Sequence, residues 1–300
     1  APKIFGILFI VFALGLAFYL YRLEPIEKLG LDNITLPKIF STSTGENIPP
    51  PPPEEKPPTY FVEPPEGPEI SPSEIPQGFT LKELSPFFRK VRISSFTSIS
   101  PDFYGQISMY AYIDSDKLIN VTGWVLKSNK GSRLVIPKGI EVYSPFGFQT
   151  PSDIFVKSGD TVNIYGATNP TGVNFRLNKC LGYLEDVFDF TPPLYTNCPY
   201  IDRSELFRFT GECQDYVLSL SACQIPDSNP QIPLDDYACR DYLSKLNYRG
   251  CFERYRTDPD FFQSEWRIWV EPRLFLDPDS RHDRILLFDQ KGLLVDEYSY

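Results

Sequence analysis

Histidine is almost missing from this chain: His282 is the single one in 300 residues. That removes the imidazole sets on which zinc enzymes and histidine-activated nucleophiles are built. A lone histidine beside Asp283, near the start of a strand, reads as a surface residue. Methionine is as scarce, with Met109 alone. The cysteines include no Cys-x-x-Cys pair, so a zinc finger or ribbon is not indicated. There is no Gly-x-Ser-x-Gly elbow, no phosphate-binding loop and no His-Glu-x-x-His helix. Lys/Arg clusters are lacking too, and the formal net charge is −10. A nucleic-acid backbone binder needs the opposite balance. These gaps leave no enzyme activity, cofactor or metal expected, and no nucleic-acid partner. The carboxylate pairs do not restore one. Asp114 and Asp116 read as a solvated turn, with calcium as the sharper alternative. Asp258 with Asp260 and Asp277 with Asp279 flank prolines and read as turns.

What is present begins with an address. Residues 4–21 form an uncharged apolar run of 18, flanked by Lys3 and Arg22. At ~1.5 Å per residue a helix of that length reaches about 27 Å, enough for a bilayer core. Tyr19 and Tyr21 stand where interfacial aromatics belong. The region 1–22 is therefore expected to be a transmembrane helix. A cleaved signal peptide is the plainer alternative, but the run is long for one and no small-x-small site follows. The start also resembles type IV pilins, whose apolar helix packs in a fibre core, although Phe5 stands where those carry an acidic residue. Region 23–79 reads as a linker or stalk, with 12 prolines among the 28 residues 49–76. A polyproline II stalk would extend on the order of 85 Å at ~3.1 Å per residue; a disordered tether reads equally well. Asn33 and Asn120 head glycosylation sequons.

From residue 80 to 300 the pattern is globular and mainly β. Ile107, Met109, Ala111 and Ile113 alternate with polar or aromatic residues, the signature of a half-buried strand. The stretch 118–139 organises the rest. Apolar β-formers at 119–126 and 134–136 flank Ser128-Asn129-Lys130-Gly131-Ser132, which predicts two strands and a turn. Trp124 is expected to anchor the core, with Gly123 allowing close backbone approach. Further strands are predicted at 161–165, 174–178, 266–270, 285–288 and 293–298.

Four motifs carry a family resemblance: Asn120-Val121-Thr122-Gly123-Trp124, then Val135-Ile136-Pro137-Lys138-Gly139, then Lys157-Ser158-Gly159-Asp160-Thr161-Val162, and residues 283–298. Taken in that order they resemble the lamin-tail domain, over roughly residues 90–180 and the last thirty-odd. The resemblance implies an immunoglobulin-like β-sandwich. It implies a module and not an activity, since fold does not transfer function.

Residues 181–265 interrupt the sandwich and hold most of the cysteines. All six lie between Cys180 and Cys251. Their even number and lack of metal spacing predict disulfides, and with them an extracytoplasmic compartment. Residues 213–223 and 234–246 read as two short helices, with Thr210 and Asp235 as caps. Packed antiparallel, they would set Cys213 against Cys251 and Cys223 against Cys239, leaving Cys180–Cys198 at the base. Tyr195, Tyr200, Tyr216, Tyr237, Tyr242 and Tyr248 decorate this insertion and suit an interface, sugar stacking or simple packing.

The expected function is a membrane-anchored structural or adhesive protein of the cell surface, globular part outside, in a homo-oligomer or larger assembly. A pilin-like filament subunit is the second expectation. A carbohydrate-binding accessory module, with a polysaccharide partner, is the third.

Overall fold

The computed structural model describes residues 70–113, 117–147, 149–228, 230–277 and 283–300. The expected membrane helix, most of the stalk, Asn33, Asp114, Asp116, Asp279 and His282 lie outside them. Among the described residues no helix is long and apolar enough to cross a membrane.

The described part is mainly β. Eleven strands run β1 (Val91–Ser100), β2 (Phe103–Ala111), β3 (Ile119–Asn120), β4 (Val125–Lys127), β5 (Arg133–Val135), β6 (Phe155–Val156), β7 (Thr161–Gly166), β8 (Phe175–Asn178), β9 (Phe262–Val270), β10 (Arg284–Phe288) and β11 (Leu294–Ser299). One sheet has the order β1-β2-β7-β9-β8, a second β11-β10-β4-β5, and β3 pairs with β6 alone. Every pairing is antiparallel except β7 with β9. Parallel neighbours need a long crossover, and here β8 with everything after it supplies that connection.

The alternating residues of β2 explain its place. Ile107, Met109 and Ala111 are each at most 1 % exposed. They meet Val162 and Ile164 of β7, Trp266 and Ile268 of β9, and, from the second sheet, Leu126, Leu134, Ile285, Leu287 and Val295 in one shared core. Trp124 sits in it, buried and stacked on Phe87 at 6.0 Å between ring centroids. Burying such a ring is worth roughly 2–3 kcal/mol.

The organising stretch departs from the expected single hairpin. β4 and β5 pair as predicted, Val125 opposite Val135, around the 128–132 turn. The first apolar run, however, breaks before Trp124. The Asn120 carboxamide oxygen accepts from the Thr122 N–H at 2.9 Å, and Gly123 turns the chain with φ +78°. The Asn-Val-Thr-Gly-Trp motif is thus a turn between β3 and β4, and Gly123 works by its left-handed backbone, not by close approach.

Residues 70–79, expected to belong to the linker, are part of the folded body. Ile70, Ile75 and Phe79 pack on Leu84, Phe88 and Leu294. The 72–74 turn is closed by reciprocal bonds between Ser71 and Glu74.

β9 shows what covers the first sheet. Residues 266–269 are all buried, so both faces of the strand are occupied. Trp266 and Ile268 face the shared core, whereas Trp269 packs with Phe175, Phe190 and Leu194 in a second core that belongs to the insertion.

Candidate functional site

The insertion leaves the sheet after β8 and returns at Phe262, the first residue of β9, somewhat earlier than position 265. It carries five short helices: α1 (Gly182–Glu185), α2 (Arg203–Leu206), α3 (Gly211–Ser219), α4 (Tyr237–Leu243) and α5 (Tyr248–Tyr255). Side-chain caps start the last four. The Asp202 carboxylate accepts from Ser204 N–H, Thr210 Oγ1 from Cys213 N–H, the Asp236 carboxylate from Cys239 N–H and Asn247 Oδ1 from Gly250 N–H. Helices this short are marginal alone, and the cap of α4 is Asp236, one residue beyond the expected Asp235.

All six cysteines are disulfide-bonded, but not in the expected pairs. The bonds are Cys180–Cys251, Cys198–Cys223 and Cys213–Cys239. The expected Cys213–Cys251, Cys223–Cys239 and Cys180–Cys198 fail for a local reason. α3 ends at Ser219, so Cys223 lies beyond it, with a left-handed φ of +64°. It therefore shares no helix face with Cys213. Cys213 and Cys239 occupy matching positions in the first turns of α3 and α4. The two N-termini are drawn together, Thr210 donating to the Asp236 carboxylate at 2.8 Å. Cys180, next to the end of β8, then reaches Cys251 on α5 and locks the insertion to the sheet. Arg267 of β9 adds a second lock. It is 1 % exposed, pairs with Glu265 at 2.8 Å and donates to the Pro193 carbonyl at 2.8 Å.

Between α1, α2, α4 and α5 lies a cleft of about 360 Å³. That is near the lower end of the ~300–1,000 Å³ found for small-molecule sites. Tyr183 and Tyr242 line it, 8 % and 9 % exposed as residues, and Tyr255 lies beside them. None of the three hydroxyls has a hydrogen-bond partner among the described residues. Burial pushes the Tyr183 phenol up to about 12 and raises that of Tyr242. The charged groups of the wall are mostly self-neutralised. Arg254 pairs with Glu205, holding that carboxyl below its usual range through the hydrogen bond, and Lys245 pairs with Asp241 at 2.6 Å. Arg208 is the exception. Its guanidinium lies over the Phe209 ring at 4.8 Å and makes no ion pair within 4 Å among the described residues, although its charge helps to hold the Glu205 carboxyl low. Tyr200, also lining the cleft, is 94 % exposed.

No family model, curated protein or solved structure matches this chain. The cleft therefore stands on its own geometry.

The residues singled out by sequence scatter. Tyr200 and Tyr242 meet in the cleft. Tyr248 is structural, donating to the Tyr143 carbonyl and accepting from Asn178. Tyr216 accepts from the Asp227 N–H, Tyr237 is exposed, and Tyr195 covers the Arg267 guanidinium at 4.6 Å. Asp258 and Asp260 both bind Lys179, at 2.8 and 2.7 Å, an ion cluster that closes a turn. The Asn120 amide nitrogen donates to Asp153 at 2.8 Å, a bond that a glycan there would displace. Among the described residues no group of three or more His, Cys, Asp or Glu could hold a metal. Tyr183, Arg208 and Tyr255 escaped notice in the sequence. Of the three, Tyr255 had a signal in helical spacing, since it trails Cys251 by four residues on the same face of α5.

Proposed function

We propose that the chain is an extracytoplasmic structural or adhesive surface protein, in which an immunoglobulin-like sandwich of the lamin-tail kind presents a disulfide-bonded recognition head. The observation that carries this reading is the pairing of all six cysteines around an insertion with exposed apolar side chains. Tyr200, Phe207, Leu234 and Tyr237 are each more than three-quarters exposed. Disulfides persist in oxidising compartments, and exposed apolar surface is usually retained for contact with a partner. The apolar run at residues 4–21 supplies an anchor in this reading, and the proline-rich stretch a spacer. Two sheets sharing one core, of five and four strands, support the sandwich.

The test is chemical. Alkylating the native protein as isolated from its cell, before any reductant, is expected to add no label to any cysteine. Six labels should appear after reduction and unfolding. Free thiols in the freshly isolated protein would overturn the extracytoplasmic placement. Protease added to intact cells should cut the insertion loops, and full protection there would overturn the outward-facing head.

A further inference from the structure

We propose that the cleft between α1, α2, α4 and α5 binds a saccharide unit bearing a carboxylate, with Arg208 pairing the acid and the phenols of Tyr183, Tyr242 and Tyr255 meeting the ring hydroxyls. The proposal rests on the surface-protein reading only in the choice of ligand, since acidic sugars are abundant in extracytoplasmic polymers.

Tyr183 and Tyr242 are largely buried side chains that line one cleft, and their hydroxyls have no hydrogen-bond partner among the described residues, which leaves both free to bond a ligand there. Each phenol can both donate and accept, which suits neighbouring sugar hydroxyls that do the same. A purely apolar ligand would strand these groups. Tyr200 adds an exposed ring at the same cleft, the kind of flat apolar surface on which the carbon face of a sugar rests. Arg208 supplies the acid preference. Arg254 and Lys245 already hold carboxylates in close ion pairs, whereas Arg208 makes none, and its fork matches a carboxylate bidentately even with Glu205 nearby. The wall is also fixed before any ligand arrives. Cys251 belongs to it and is tied to Cys180, and Cys213–Cys239 joins the helix starts beside it. Preorganisation of this kind lowers the ordering cost of binding.

The experiment is titration calorimetry on the disulfide-intact protein, with D-glucuronate, its oligomers, D-glucose and acetate as probes. Glucuronate or its oligomers should bind measurably, and more tightly than either glucose or acetate. Arg208→Met should weaken the acidic sugar by about tenfold or more and leave glucose unchanged. Tyr183→Phe keeps the ring and the packing and should weaken both sugars several-fold, as should Tyr200→Ala. Tyr237→Ala, outside the cleft, should change neither. No binding of either sugar at millimolar concentration would overturn the proposal. So would acetate matching glucuronate, or binding that survives all three cleft variants. Each of these results is separate from the thiol labelling, so the ligand can fail while the surface placement stands.

Discussion

The Cys180–Cys251 bond closes a separation of 71 residues, the longest of the three loops, and its removal gives the sharpest test of how the insertion is held. In the chain-entropy account, cross-linking a loop of about that size restricts the unfolded chain by about 4 kcal/mol, between ~3 for fifteen residues and ~4.7 for a hundred. The other two bonds span 25 and 26 residues, for which the same account gives about 3.5 kcal/mol. Both sulfurs of the long bond are buried, at 0 % and 6 % exposure, so replacing them also removes packing. A C180A/C251A double variant should therefore lose about 4 kcal/mol or slightly more. For a body of this size one kcal/mol corresponds to about 2–4 °C, so its melting temperature should fall by roughly 8–16 °C. Differential scanning calorimetry without reductant, beside a peptide map showing the other two bonds intact, measures this. A fall of less than about 2 °C would refute the reasoning, because the ends of the insertion would then be held together without the bond.

Two buried charged groups and one left-handed turn give three further outcomes. Asp296 is pushed up to about 6 by burial, while its carboxylate accepts from the Ile93 N–H at 2.8 Å. The folded state thus takes up a proton more readily than the unfolded chain, so the stabilisation is full below about pH 4 and is lost as pH rises through about 6. Asp296→Asn keeps the acceptor and should gain roughly 1–3 kcal/mol at pH 7, and it should flatten the dependence between pH 4 and 6 in urea titrations. Arg267→Ala strands Glu265 and the Pro193 carbonyl beneath the insertion, and should cost about 3–5 kcal/mol by the same titrations. Gly123→Ala forces a left-handed alanine at φ +78° and should cost about 1–2 kcal/mol, while Gly131→Asn, also left-handed but in open space, should cost less in parallel thermal melts.

Much of the β architecture was legible because its signal is local. The spacing of Ile107, Met109 and Ala111 gave β2 and its buried face, and the apolar runs at 285–288 and 293–298 gave β10 and β11. Burial of Trp124 followed from its size. The failures arise where distance in space decides. Val121 and Trp124 look like one strand until the Asn120 side chain and the Gly123 backbone turn the chain between them. The cysteine pairs depart from helical spacing because α3 stops at Ser219, four residues short of Cys223. Nothing in the sequence announces that Ile70, Ile75 and Phe79 leave a proline-rich stretch to cover Leu294, nor that Tyr183 and Tyr242 converge from segments nearly sixty positions apart.

β8 pairs with β9 along its length and with Ile140 by a single bridge on its other side, and the whole insertion separates β8 from β9 along the chain. A ribosome delivers β8 well before it delivers the strand that satisfies it. During that interval the Phe175 and Leu177 side chains and the open edge of β7 are left waiting, and the sheet cannot close. Closing it requires the two ends of the insertion to meet, with Phe262 opposite Asn178. Maturation of this protein should accordingly be slow and oxidant-dependent, with the newborn chain most prone to stick to its neighbours just before its last forty residues emerge.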